Sequence, residues 1–322
     1  MIPKKVIKLF LGIFFAIFFS FILLKNIDFN YFLQLFKKID LITISFAIFF
    51  VFLDYFFRVQ RWKFMLMSDN QKITWNDCCG PFMASYAVNN VLPFRAGDIM
   101  RALAFNKALN VKLSTTIVSL ILERLLDLFV ILFLFLIIIL FFNLSATNFL
   151  NPELWPLIII IFILSCVFLF PNFMKPIILK ICFYVSKISR SLSQKLESFT
   201  VKIFDSLLLI SNFKIMLRLF FWTFMIWFCE GLVFWFVALS IPDISNNLSS
   251  WAALPVGTLA TLIPSTPGYI GTFDYFTSET MKFFGNSAES SLVFALVVHI
   301  ILWFITTAIG AIFMFRIYSE KI

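Results

Sequence analysis

Six apolar runs, at residues 6–24, 39–57, 113–142, 155–171, 215–240 and 290–316, have about the length that carries a helix across a bilayer. Each is predicted to be a transmembrane helix. Two further apolar regions, 76–105 and 251–285, are broken by polar and helix-disrupting residues. The first break runs Asn89-Asn90-Val91-Leu92-Pro93-Phe94-Arg95-Ala96-Gly97-Asp98; the second runs Pro264-Ser265-Thr266-Pro267-Gly268-Tyr269-Ile270-Gly271-Thr272-Phe273-Asp274. A broken backbone at membrane depth leaves peptide groups that lipid cannot satisfy, so such segments survive only against protein or a polar cavity.

If both broken regions crossed the membrane, the cluster from Arg95 to Lys112 would be exported. As re-entrant helical hairpins, they leave it inside. The order is then helix, helix, hairpin, helix in residues 1–150, and the same series with every direction reversed in 151–322. This is the pattern of an inverted-topology repeat within a single membrane domain spanning 1–322. The spacing agrees: Gly97 to Glu123 is 26 residues and Gly271 to His299 is 28. Two unrelated loops are the competing reading. Between the halves, residues 176–211 place apolar side chains at steps of three and four, with Lys180, Lys187, Arg190 and Lys195 between them. They predict one basic amphipathic helix on the inner leaflet, facing anionic lipids.

Composition fixes the class. With 61% hydrophobic and 13% charged residues and a mean hydropathy of +0.99, the chain has too little polar surface for a water-soluble globule. The run from Val6 to Leu24 is followed by no small-residue cleavage site and is read as a span, not a signal peptide. The expectation is an all-α polytopic membrane protein. The net charge of +9 reflects topology, not nucleic-acid binding: with a cytoplasmic amino terminus, 21 of the 26 lysines and arginines fall on cytoplasmic segments. Both termini are then cytoplasmic. The five cysteines form no C-x-x-C pair and the chain has one histidine, so neither a disulfide framework nor a zinc site is expected. No Walker motif is present, and no cofactor is called for.

Charge inside a membrane is costly and normally has a partner, which singles out few residues. Glu230 lies mid-way along an otherwise uncharged stretch; a headgroup contact, a proton acceptor and a fixed ion pair are its alternatives. Asp54 and Arg58 share a helix face, with Arg61 one turn on, where the second helix is expected to reach the interface. A structural pair, an interfacial anchor and a phosphate site all remain open there. Glu123, Arg124 and Asp127 precede a long apolar run. Around the first break, Asn90, Arg95, Asp98 and Arg101 combine arginines with a restarting helix, the elements of an anion site. Pro93, Gly97, Pro264, Pro267, Gly268 and Gly271 supply the breaks. His299 lies in the last span; a packed residue is the bland reading, a proton relay with Glu230 the sharper one.

In these motifs the chain resembles the flippase-like transmembrane domain of lysylphosphatidylglycerol synthases (multiple peptide resistance factors), in its stand-alone form. The resemblance covers nearly the whole chain. It rests on Arg58-x-x-Arg61-Trp62, on Asn90-x-Leu92-Pro93-x-Arg95-x-Gly97-Asp98-x-x-Arg101, on Glu123-Arg124-x-x-Asp127, and on Pro264-x-x-Pro267-Gly268-x-x-Gly271-x-x-Asp274. Tyr269 and Asp274 stand where the family often has Gly and Glu. The resemblance implies a lipid translocase of the bacterial cytoplasmic membrane and not an enzyme, since no polar stretch of synthase-domain size occurs in these residues. Its substrate would be an anionic or aminoacylated phospholipid, or a polyprenyl- or glyco-linked lipid. Arg58, Arg61, Arg95, Arg101 and Arg124 would hold phosphate, and Asp98, Glu230 and Asp274 a cationic headgroup group. A separate lipid-modifying synthase and a second copy of the chain are the protein partners it would suggest. The rival readings are a membrane enzyme acting on a lipid carrier and a non-transporting partner subunit of a lipid synthase or glycosyltransferase.

Overall fold

A computed structural model describes residues 4–25, 27–92, 95–142, 155–187, 189–209, 212–263 and 266–319, and among these every regular element is helical. Among the described residues four helices are long and apolar enough to cross a membrane: α3 (Leu41–Leu66), α6 (Leu113–Phe141), α10 (Phe213–Ser240) and α13 (Ala288–Ser319). Two bent pairs bring the number to as many as six: α1 (Lys4–Leu24) turns by 92° into α2 (Phe29–Lys37), and α7 (Trp155–Leu169) turns by 119° into α8 (Pro171–Val185). The chain is a multi-pass membrane protein. Its outer faces carry large exposed apolar side chains such as Phe46, Phe49, Phe224, Phe304 and Phe315, as lipid requires.

The broken regions form helix–break–helix units. In the first, α4 (Trp75–Val91) is followed by α5 (Ala96–Ala104); in the second, α11 (Ser249–Ala260) leads through a 3-10 turn at Pro267–Tyr269 to α12 (Thr272–Phe283). The arms of each unit pack on one another. Pro93 and Pro264 lie outside the described residues, as does the junction between the two halves at 150 and 151. Thr74 starts α4 with a reciprocal cap, its hydroxyl accepting from the Asp77 N–H while Asp77 accepts from the Thr74 N–H.

Several of the helix contacts come in similar pairs. Helix α3 lies along α10; α4 packs on α13 as α11 packs on α6; and α5 contacts α6 as α12 contacts α13. The largest core cluster joins Val51 of α3, Ile226, Phe234 and Val237 of α10, Leu254 of α11 and Val298 of α13.

Three expectations change. Helix α3 does not end near residue 57 but continues to Leu66, so Arg58, Arg61 and Trp62 are buried within it and are not interfacial anchors. Carboxylates from neighbouring helices neutralise its arginines there, which lets the helix run on. The single helix expected over 176–211 is two, α8 and α9 (Arg190–Leu209), packed against each other. Ser193 donates to the Cys182 carbonyl at 2.7 Å across that contact, and the polar Ser186–Lys187 end of α8 closes the turn. Helix α2 was not expected; Asp28 caps it by accepting from the Asn30 and Tyr31 N–H groups.

Candidate functional site

Charged side chains from α3, α5, α6 and α10 gather into one seam. Arg58 donates through Nε to Asp54 Oδ2 at 2.8 Å and through Nη2 to Glu230 on α10, with Tyr55 and Trp227 against its guanidinium. One turn on, Arg61 grips Asp127 of α6 with two bonds, 2.6 and 3.1 Å, and donates to Thr223 Oγ1 at 2.9 Å. The Trp227 indole N–H completes the Asp127 carboxylate at 3.2 Å. These pairs tie α3 to α6 and α10. They give Arg58, Arg61 and Glu230 the fixed-partner arrangement that the sequence left as one of several readings.

Nearer the first break the pairing loosens. Arg101 donates to Glu123 Oε2 at 3.1 Å and lies between the Trp62 and Phe82 rings, 5.1 and 4.5 Å from their centroids. Arg101 is 0% and Glu123 1% exposed, yet Arg101 Nε and Nη1 have no hydrogen-bond partner among the described residues. The Glu123 side chain is therefore buried, not snorkelling. Arg124 reaches Asp98 at 2.8 Å with 37% of its side chain exposed. Asp98 also accepts from Asn89 Nδ2 at 2.9 Å, while its own N–H donates to Asn89 Oδ1 at 3.2 Å, fastening the start of α5 to the end of α4. Arg95 caps α5 in a left-handed conformation, φ 52°, and makes no ion pair among the described residues. Gly97 permits the closure: a Cβ there would stand 1.8 Å from the Ser85 carbonyl oxygen.

The second break holds a separate cluster. His299 of α13 has Nδ1 2.6 Å from Asp274 Oδ1 and Nε2 2.7 Å from the Gly268 carbonyl oxygen. The other Asp274 oxygen accepts from the Gly271 N–H at 2.8 Å, at the start of α12. Gly268 and Gly271 take φ of 72° and 83°, conformations open to glycine and strained for other residues. Thus His299 pairs with Asp274, whereas Glu230 is bonded to Arg58; the structure makes no hydrogen bond between His299 and Glu230.

The two breaks meet. The Asn90 side-chain amide donates to Thr306 and Thr307 of α13, each at 2.9 Å, and its carbonyl accepts from the Trp303 indole at 3.3 Å. A Cβ on Gly268 would lie 2.9 Å from that same indole nitrogen. Asp54 and Asp127, singled out in the sequence beside Arg58 and Glu123, supply carboxylates of these pairs, whereas Tyr86, Trp227 and Trp303 belong to this architecture but were not among the expected residues. For Asp127 the signal was present, four residues from Glu123 on one helix face.

Beyond Trp62 lies a cavity of about 690 Å³ between the C-terminal end of α3 and the N-terminal ends of α6 and α10. Lys112, Lys214 and Arg218 stand at its rim with one acid, Asp69; Met65, Leu122 and Leu219 line its apolar side. Its wall touches the seam, because Ser119, which lines it, accepts from the Trp62 indole at 3.1 Å.

The family model described as "Lysylphosphatidylglycerol synthase TM region" matches residues 6–310, and the chain belongs to that family. A comparison with curated proteins found no match. Membership associates the chain with membrane lipid; the family is a transmembrane region often paired with a synthase domain.

Proposed function

We propose that this member of the lysylphosphatidylglycerol synthase transmembrane family is a lipid translocase, moving a phosphate-bearing headgroup along the seam while the acyl chains stay in lipid. The barrier to lipid exchange between leaflets is desolvation of a charged headgroup, and fixed charges and helix ends can stand in for the lost water. The carrying observation is the gradation of pairing around the first break. Arg58 is bonded to two carboxylates, Arg61 is gripped by Asp127 and Thr223 with Nε alone unpartnered, Arg101 makes one bond to Glu123 and leaves two buried N–H groups without a partner among the described residues, Arg124 is partly exposed, and Arg95 has no acid partner among the described residues. Arg95, Arg101 and Arg124 would take the phosphate; Asp98 would meet a cationic group on an aminoacylated lipid. Lys112, Lys214 and Arg218 give the adjoining cavity the character of a receiving site for an anionic amphiphile. The distribution of basic residues supports a cytoplasmic side for both termini and this cavity, and the family resemblance supports a bacterial inner membrane.

The test is leaflet accessibility of labelled anionic, aminoacylated and polyprenyl-phosphate lipids in proteoliposomes, with native protein against Arg124→Ala and Asp98→Asn. Faster loss of leaflet asymmetry that Arg124→Ala abolishes supports the translocase, and an added loss with Asp98→Asn for the aminoacylated lipid alone selects that class. No acceleration of any of them by folded protein, with and without a proton gradient, refutes it.

A further inference from the structure

The bonds of His299 count protons. The Gly268 oxygen is a backbone carbonyl and can only accept, so Nε2, 2.7 Å away, carries a hydrogen. At 2.6 Å from Nδ1 stands a carboxylate oxygen of Asp274. Either Nδ1 also carries a hydrogen and donates to an ionised Asp274, or a protonated Asp274 donates to a bare Nδ1. Both arrangements hold one proton more than a neutral imidazole beside a carboxylate. The first is favoured by the second Asp274 oxygen, which accepts from the Gly271 N–H in the first turn of α12, where the helix dipole favours negative charge.

We propose that His299 and Asp274 form a proton-binding site, occupied as an imidazolium–carboxylate pair, whose discharge unlatches the second break. A neutral imidazole has one N–H for two acceptors, so proton loss turns a bare nitrogen toward either Gly268 O or Asp274. The turn at 267–269 is poised to respond, since Gly268 and Tyr269 both sit at positive φ, 72° and 61°. Gly268 packs on Trp303, and Trp303 donates to Asn90 of the first break, so the released turn bears directly on the junction between the two breaks. The groups facing the imidazole are few. Helix α12 presents Asp274 and, with ring centroids 5.2 Å apart, Phe273, and the turn presents the Gly268 carbonyl; Glu230 of α10 is bonded to Arg58 and makes no hydrogen bond to the ring. Asp274 is thus the charged partner of His299 among the described residues. This site would couple lipid movement to protons, and in that respect it rests on the translocase reading.

His299 is the only histidine in the chain, so selective ¹⁵N-histidine labelling reports one ring without assignment. At pH 8, well above the free imidazole value of about 6.5, the full-length protein should give the spectrum of a ring protonated on both nitrogens. Asp274→Asn should give a ring with one bare nitrogen. A bare nitrogen in the native protein at pH 8 overturns the proposal. The latch is read separately by hydrogen exchange across residues 266–272. Raising the pH through the transition of the ring should speed exchange by about tenfold beyond the intrinsic pH effect, as for loss of one hydrogen bond to a charged group. His299→Gln, which keeps one donor for Gly268 but cannot titrate, should abolish that step. A native segment that is indifferent to the ring's charge refutes the latch. Neither reading needs transport, so a native protein that moves no lipid at any pH would sink the translocase and leave the proton site to be decided by these spectra.

Discussion

The Arg101–Glu123 pair separates what holds the seam together from what the seam does. Glu123→Leu would leave a guanidinium that is 0% exposed with only Asp98, 3.9 Å away and already bonded to Arg124, as counter-charge. Stranding one partner of a buried pair costs about 3–5 kcal/mol, and insertion scales put an unpaired arginine at mid-membrane at about 2.5–3.5 kcal/mol. The two figures overlap near 3 kcal/mol, a large share of a total stability of about 5–15 kcal/mol. On the scale of soluble domains this corresponds to roughly 6–12 °C in Tm. The double variant Arg101→Met with Glu123→Leu should return to within about 1 kcal/mol of native, because an apolar pair of similar volume replaces a buried ion pair at little or no cost. It also removes the two unpartnered N–H groups, and strands only the Tyr86 hydroxyl, which lies 3.4 Å from Glu123. Thermal unfolding in detergent, followed by size-exclusion fluorescence, reads the stability; the lipid assay reads function. The double variant should be stable and slow, since Arg101 Nε and Nη1 are assigned to phosphate. A double variant no more stable than Glu123→Leu alone would refute the ion-pair reasoning, and one that is stable and fully active would reduce Arg101 to packing.

The remaining expectations test the packing, the rim and the loop. Gly97→Ala drives a methyl group into the Ser85 carbonyl, where 1.8 Å is available; it should cost about 1–3 kcal/mol or more and lower Tm, and unchanged melting would disprove the close approach of α4 and α5. Lys214→Glu with Arg218→Glu changes exposed residues, so Tm should hold, the sum remaining near 0.5–1 kcal/mol. Transport of anionic lipid should nevertheless fall severalfold, most at low salt; equal rates for native and variant at low salt would remove the cavity from the path. Asp69, in the loop after α3, is partly buried, which pushes its carboxyl up, but hydrogen bonds from the Thr115 hydroxyl at 2.5 Å and the Lys112 N–H at 3.0 Å outweigh this and hold it below the usual carboxylate value. Its folded value being depressed, the stabilisation is present above the unfolded value near 3.8 and lost as pH falls through the folded one. Asp69→Asn should therefore flatten the acid limb of stability against pH below about 4, and identical limbs in native and variant would contradict the assignment.

Much of this protein was legible because lipid leaves few choices. Hydrophobic length alone placed α3, α6, α10 and α13, and the paired Pro–Gly breaks marked both helix–break–helix units. What the sequence concealed were partners. An arginine within an apolar helix announces that it needs a carboxylate, but Arg61 finds Asp127 on α6 and Arg58 finds Glu230 on α10, at separations of 66 and 172 residues that no helical periodicity encodes. For the same reason α3 appeared to stop at the interface, since its charges looked like an end until their neutralising partners were known. The break between α8 and α9 was hidden differently, because an amphipathic stripe fits two short helices packed together as well as one long one. His299 is the clearest case: its two partners, Asp274 and Gly268, lie on α12 and the turn before it, and only the fold brings them to its two ring nitrogens.

The two breaks are built alike and charged differently. On the first, arginines outnumber the acids close by, with Arg95, Arg101 and Arg124 facing Asp98 and Glu123. On the second, the side chains at the turn are hydroxyls, Asp274 and His299. An anionic headgroup is attracted to the first and finds no fixed cation on the second except the one the bound proton supplies. A cycle follows from that asymmetry. While His299 is charged, the second break is latched and the junction at Asn90 and Trp303 is closed; proton loss frees the turn at the moment it removes the positive charge. Lipid held by the arginines would then meet an opened junction, and reprotonation would close it behind. Charge on the headgroup should accordingly matter in one direction only: neutral lipids would gain nothing from the first break, and a native protein moving neutral and anionic lipids at equal rates would contradict the assignment of the arginines to phosphate.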